Sequence, residues 1–360
     1  MSTKNLSNNR DFKTIQSKFI TREYVKGDKD SILNLFKTTF QTVKKGKHWD
    51  WQFNENQQGA SWITLAFDNS KTIAQYCIFR QHLNYMGNEI VAGQSCDTMV
   101  HPEYRRNGLF TKLAQRNYRY AENSKLQAVI GFPGRSSYPG FMKKLKWNNI
   151  ASMTSFDYRI GLKRQFGPFV DKIYKILLFI FLHIKLKYNI SKVTHKFRIK
   201  RYEIIPERLE SLLKEHRDHE VLSVWKNIKY LKWRYQNHPV NHYTFFISSF
   251  GKSDKTLIVC RKVGNNIAIC EFIYKDRNLL ENTIALQSIV QYYVRRGKQN
   301  IKFFGHDRGF FNAVFKNAGF KSELAGDFVF GGRVFNNNSL SNNFNLATNW
   351  TIMYGDTDTI

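Results

Sequence analysis

TMVHPEYRRNGLFTKLA, residues 98–114, decides the fold. An extended apolar run ends at His101-Pro102, a basic loop with one glycine follows, and an amphipathic helix starts at once. Amides at a helix N-terminus lack intrahelical partners and sit at the positive end of the dipole, so they suit anionic oxygens. Gly108 lets the backbone approach a ligand closely, and Arg105 and Arg106 add charge beside it.

Outward from this loop, the sequence alternates in short bursts. Residues 19–30 read as a strand and 28–43 as a helix behind an Asp/Ser start signal. Trp62–Phe67 and Ile73–Arg80 form a hairpin pattern around Asp68, Asn69 and Ser70. Val91–Val100 is extended, Leu109–Asn123 helical, Gln127–Phe132 a short strand, Tyr138–Leu145 a short helix, and 150–162 alternates again. This is α/β grammar: a mixed, largely antiparallel sheet flanked by helices.

The grammar repeats after residue 202. Pro206–Glu220 and Leu280–Arg296 read as helices. Thr244–Phe250, Thr256–Val263, Ile267–Tyr274 and Ile301–Gly305 read as strands, with Phe310–Lys316 a short helix. HWDWQFN (48–54) echoes YLKWRYQ (230–236), and FMKKLKW (141–147) echoes VFKNAGF (314–320). Equal element order plus these echoes predicts a duplicated domain. The expected division is 1–160, a connector at 161–202, a degenerate copy at 203–335 and a tail at 336–360.

Composition bounds the function. Against 28 Asp and Glu stand 56 Lys and Arg in 360 residues, a formal net charge of +28, which favours a polyanionic partner. Hydrophobic content of 42% with 15% aromatics excludes a disordered chain. Cys77, Cys96, Cys260 and Cys270 form no C-x-x-C pair and read as buried reduced thiols, as expected of a cytoplasmic protein. The first fifteen residues lack the apolar region of a secretory signal. Nucleic acid is not the expected partner, because the basic and aromatic residues match no RNA-binding module. His216 and His219 read as a solvated helix face rather than metal ligands, and no metal is expected. Residues 161–202 hold 11 Lys and Arg against the single acid Asp171, around an apolar run at Ile176–Leu182. That run is too short to span a bilayer. It reads either as a connector packed on a domain or, over 168–190, as an in-plane contact with an anionic membrane surface.

The order Val100, Pro102, Tyr104, Arg105, Arg106, Gly108, Leu109, followed by an amphipathic helix, resembles the coenzyme A loop of the GNAT superfamily of N-acyltransferases. Leu145-Lys146-Trp147 resembles that family's second landmark, a short helix closing on an aromatic. The duplicated order resembles tandem GNAT proteins of the enhanced-intracellular-survival type and relatives accompanying surface-polysaccharide enzymes. The resemblance implies an acyl-CoA, most simply acetyl-CoA, as co-substrate and a small amine or amino sugar as acceptor. It implies cofactor contacts from Met99, Val100, Arg105, Arg106, Asn107, Gly108, Leu109 and Phe110, with Ser136 and Ser137 beside the pantetheine arm. Two positions depart from the family: Phe110 stands where Gly or Ala is usual, and Met142 where a proton-donating Tyr is frequent. Two alternatives remain open: a tRNA-dependent aminoacyl transferase of the peptidoglycan cross-bridge type, and an acyl-CoA-binding protein without catalysis.

Direct transfer needs a base for the amine and an acid for the thiolate. Asp97 is the carboxylate nearest the loop on its strand, and serves as base or as a structural carboxylate. Strict alternation puts Ser95, Asp97 and Met99 on one face, unless a bulge shifts the register. Tyr138 is the candidate acid or a packing aromatic. Cys96 reads as a buried thiol before an acyl-carrying nucleophile, and His101 as a loop residue. The DRNLLE segment (276–281) lacks the R-x-x-G pattern, so copy two is expected to bind no coenzyme A. Asp356 and Asp358 are expected on the acceptor side of the first copy's site.

Overall fold

The computed structural model describes residues 19–162, 166–335 and 339–358. Its first half runs β1 (Ile20–Glu23), α1 (Lys29–Phe40), α2 (Gly46–Phe53), β2 (Trp62–Asp68), β3 (Lys71–Arg80), β4 (Leu83–Tyr85), β5 (Asn88–Ile90), β6 (Ala92–Val100), α3 (Leu109–Glu122), β7 (Ala128–Gly131) and β8 (Asn148–Arg159). Then α4 (Gly167–Ser191) leads into β9 (Phe197–Tyr202), α5 (Glu210–His219), β10 (Leu222–Val224), α6 (Ile228–Leu231), β11 (Tyr243–Phe250), β12 (Ser253–Val263) and β13 (Asn266–Tyr274). The chain closes with α7 (Leu279–Arg295), β14 (Asn300–His306), α8 (Phe310–Ala318), β15 (Lys321–Val334), α9 (Ser339–Phe344) and β16 (Trp350–Met353). The segment expected as a connector therefore splits into a long helix and a strand that pairs with β11. The short helix expected over Tyr138–Leu145 is present over residues 138–144, with Gly140–Lys144 forming a π-helical turn.

The main path of the sheet is continuous: β1, β2, β3, β6, β7, β15, β8, β14, β13, β12, β11, β9. Its centre is an exchange. Among the described residues strand β8 pairs only with β15 and β14, both from the second half, while β15 pairs with β7 and β8 of the first. Each half thus lends its last long strand to the other. Sequence patterning did not reveal β15, because Gly326, Gly331 and Gly332 interrupt its alternation and a bulge falls between Leu324 and Val329.

The echoed motifs meet across the same seam. Trp51 and Trp233 stack with centroids 4.9 Å apart and planes 17° from parallel. Each indole N–H donates to the other's carbonyl: Trp51 Nε1 to Trp233 O at 2.8 Å, and Trp233 Nε1 to Trp51 O at 2.9 Å. Both rings are buried, so the exchange satisfies two donors that would otherwise be stranded.

On the other face, α3 buries Leu109, Leu113, Ala114, Tyr118 and Ala121 against β2 and β3. Tyr118 ties this layer together: its hydroxyl lies 2.8 Å from that of Tyr76 and accepts from Trp147 Nε1 at 2.9 Å. These contacts fix the C-terminal half of α3 on β3, the neighbour of the strand that carries Asp97.

A fragment comprising residues 1–162 retains β8 but neither of its partner strands. It is expected to aggregate or to dimerise by pairing β8 with a second copy, whereas the full chain needs no such pairing. Size-exclusion chromatography distinguishes the two; a folded monomeric fragment would contradict the exchange as a stability requirement.

Candidate active site

Strands β6 and β7 run parallel and pair only at Ala92/Ala128, Gly93/Val129 and Gln94/Ile130. Beyond that they part. A cleft of about 280 Å³ opens between Ser95–Thr98 on one side and Gly131–Gly134 with Ser136 and Ser137 on the other, floored by Phe141 and Trp147.

A bulge sits where the strands part. Gln75 pairs with Met99 and Cys77 with Cys96, so Tyr76 alone opposes Asp97 and Thr98. Asp97 takes φ 45°, a left-handed conformation that Asp tolerates better than most residues. The extra residue resets the alternation: Cys96 and Met99 belong to one core cluster, and Val100 packs on the other. The strict alternation expected for this strand therefore fails at Asp97.

The loop beyond the bulge is built for an anion. Tyr104 anchors it by donating to Asp68 Oδ2 at 2.8 Å, and Asn107 Nδ2 donates to Tyr104 O at 3.1 Å. Gly108 caps α3 with φ 72°, and no side chain caps the helix, which leaves the first-turn amides to an incoming ligand. Arg105, Arg106 and Asn107 are exposed around it. Leu109 turns into the core. Phe110 is accommodated inward, its ring 5.3 Å from Phe141 and 6.0 Å from Tyr76.

Charge is concentrated at the inner end of the cleft. Lys44 is almost wholly buried, ion-paired to Asp97, and donates to Gln52 Oε1 at 2.7 Å. Burial works against its charge, but Asp97 prevails and holds the ammonium above its ordinary range. Asp358 lines the same cleft. Burial, then the Asp97 charge, pushes its carboxyl up to about 6, with Lys44 and Arg234 pulling the other way. His48, its ring tilted 42° to that of Trp51 with centroids 5.4 Å apart, is taken down to about 4 by burial and then by Lys44. Lys44, His48 and Gln52 escaped sequence reading, since a lysine in a KKGK run looks solvated.

The tail reaches this point along a defined path. Strand β16 pairs with the end of β14, at Gly305/Met353 and His306/Ile352, and fills the space where β13 and β14 part. Gly355 passes so close to Tyr235 and Glu271 that a Cβ there would collide with the Tyr235 hydroxyl. Buried Arg234 donates to the carbonyls of Gly355 and Thr357, and Gln81 Nε2 donates to Asp356 O at 3.0 Å. Asp356 and Asp358 consequently part company. Asp356, expected on the acceptor side, is buried away from the cleft, 2.8 Å from Lys226, which also pairs with Glu271 at 2.7 Å.

Other expected residues are placed as follows. The Tyr138 hydroxyl accepts from Asn149 Nδ2 at 3.0 Å, and Tyr138 is not among the residues lining the cleft. Ser137 donates to Gly134 O at 3.1 Å, bracing the loop, while Ser136 is exposed. Burial, reinforced by Cys77, pushes the Cys96 thiol far above its usual range, which suits packing rather than nucleophilic attack. His216 is buried rather than solvated, its Nδ1 3.1 Å from Tyr274 O. Among the described residues no group of three or more His, Cys, Asp or Glu is placed to hold a metal ion.

Copy two offers no equivalent loop. Helix α7 is capped by Asn278, whose side chain accepts from Glu281 N at 3.1 Å, and Glu281 adds negative charge to the first turn. Both features oppose an anion.

Residues 21–150 match the acetyltransferase (GNAT) domain family. Sequence comparison with curated proteins finds no match. Among solved structures, a conserved protein of unknown function from Enterococcus faecalis superposes with a TM-score of 0.64 at 12% identity, covering 88% of this chain and 72% of that one. A tandem GNAT protein from the clavulanic acid biosynthesis pathway gives 0.54 at 11%, covering 88% and 98%. Eis1 from Mycobacterium abscessus gives 0.53 at 10%, covering 88% and 73%. At these identities the likeness is one of fold.

The raised carboxyl has a sign that stability measurements read. Asp358 holds its proton to about pH 6 in the native state, and to its ordinary, lower value when unfolded. Between those values the native state binds more protons, so this group's contribution falls as pH rises and levels off above about 6. Asp358→Asn is therefore expected to raise the melting temperature more at pH 8 than at pH 4. Thermal scans of both proteins across that range check it.

Proposed function

We propose that this chain is an acyl-CoA-dependent N-acyltransferase of the GNAT superfamily, with acetyl-CoA the simplest donor and a small amine or amino sugar the acceptor. The observation that carries the proposal is the uncapped start of α3 beside Arg105 and Arg106, opening on a cleft that ends at two carboxylates. In this reading the pyrophosphate lies on the amides from Gly108 to Phe110 and the pantetheine arm enters between the parted strands. Met99 and Val100 flank the arm on one strand, and Ser136 and Ser137 on the other side.

The amine acceptor approaches from the carboxylate end. Asp97 is already paired to Lys44, so Asp358 is the freer base, and a value near 6 leaves it ionised at neutral pH while keeping it basic enough to accept a proton. The amine nitrogen attacks the thioester carbonyl carbon, a C–N bond replaces the C–S bond, and the nitrogen's proton passes to Asp358. The coenzyme leaves as thiolate and takes a proton from water beside exposed Gly134 and Ser136. Tyr138 has no part in this route, because it does not line the cleft. Copy two contributes the tail and binds no coenzyme A, its own parting of strands being filled by β16.

Two measurements test the reading. Calorimetry is expected to detect acetyl-CoA binding that Arg106→Ala with Gly108→Glu removes while the far-ultraviolet spectrum is kept. Absence of binding by the native protein at millimolar cofactor would sink it. In turnover assays with a panel of amines and amino sugars, kcat/KM is expected to rise with pH through about 6 as Asp358 loses its proton. Asp358→Asn should lower kcat by about 10²–10⁴ and abolish that limb, with acetyl-CoA affinity unchanged.

A further inference from the structure

Helix α4 is apolar on both sides. Its inward side rests on α7 through buried Leu182 and Leu186, with Leu178, Phe179 and Ile190 packed beside them, and polar contacts to α7 and α8 complete the seat. Asn189 Nδ2 donates to Gln287 Oε1 at 2.9 Å, and Lys185 Nζ to Asn317 O at 3.2 Å. Asp171 and Lys175 pair at 2.7 Å on the same side. The outward side is apolar. Phe169, Ile173, Leu177, Ile180, Phe181 and Ile184 follow helical spacing and face away from α7. Phe169 is 73% exposed, Ile184 64% and Leu177 60%. Tyr188 extends the stripe by another turn.

Such a face needs an occupant, and the surrounding charge says which kind. Exposed Lys172 and Lys187 border the stripe, and Lys192, Lys196, Arg198 and Lys200 follow it in exposed positions. A second copy docked on this face would set these cations, and two chains of net charge +28, against one another. An anionic lipid surface instead offers acyl chains to the stripe and headgroups to the lysines. None of the helices among the described residues is long and apolar enough to cross a membrane. The 25 residues of α4 span about 37 Å, enough to present a long apolar stripe to a flat surface. We propose that the outward face of α4 is an in-plane docking surface for an anionic bilayer.

The full chain should co-sediment with phosphatidylcholine vesicles containing phosphatidylglycerol, bind pure phosphatidylcholine vesicles far less, and be partly released by 0.5 M salt (about a 4–5 Å screening length). Replacing Phe169, Leu177, Phe181 and Ile184 by serine removes only exposed side chains. It should lower vesicle partitioning at least about a hundred-fold, with acetyl-CoA affinity and secondary structure unchanged. Absence of vesicle binding by the native chain would overturn the proposal, as would equal binding of neutral and anionic vesicles. So would full binding by the serine variant. A self-associated native chain that the serine substitutions dissociate, without any vesicle binding, would assign the face to a second copy instead. Because acetyl-CoA binding is read separately, failure here leaves the proposed transferase activity standing.

Discussion

The antiparallel pairing of β8 with β15 holds the molecule together, because each strand belongs to one half by sequence and to the other by hydrogen bonding. Neither half can complete its sheet without the other. The Trp51–Trp233 exchange repeats this reciprocity with side chains, matching a stacked ring pair to two satisfied indole donors. A seam closed in two layers fixes the spacing between halves. That fixed spacing allows a residue near position 358 to serve a cleft built by residues 95–147.

The two halves use the same architecture for different ends. In both, parallel strands pair briefly and then part. In the first half the opening stays clear and is followed by a basic, uncapped helix start. In the second half β16 occupies the opening, and the helix start is closed by Asn278 and Glu281. The echoed motif shows the divergence at a single position. Gln52 accepts from Lys44 in the first copy, whereas its counterpart Arg234 holds the carbonyls of Gly355 and Thr357 in the second. One copy positions charge and the other positions the chain that brings charge.

What could be read from the sequence was what short-range pattern encodes. The loop at 105–110, the helix behind it and the paired aromatic motifs were legible because their spacing is local. Asp97 was legible as a carboxylate beside the loop, but its orientation was not, since a bulge leaves no mark in the letters. The exchange of β8 and β15 was hidden for a different reason: strand order is set by contacts between residues more than 140 positions apart. Lys44 was invisible because burial of a lysine depends on what packs over it, and that cover comes from other elements. Asp356 and Asp358 differ by two residues in sequence, and only the turn at Tyr354–Asp356 sends one to Lys226 and the other to the cleft.

Arg234 grips the carbonyl of Thr357, and the next residue is Asp358. The tail therefore acts as a ruler with its zero mark at a buried guanidinium. One inserted residue between grip and carboxylate would advance the acid by about 3.4 Å, roughly the length of a hydrogen bond, and turn its side chain to the opposite side. Sequence drift before β16 is tolerable, because pairing with β14 would reset the register. Drift after Arg234's hold has no such correction. Length, more than composition, is the property that selection on this segment would have to preserve.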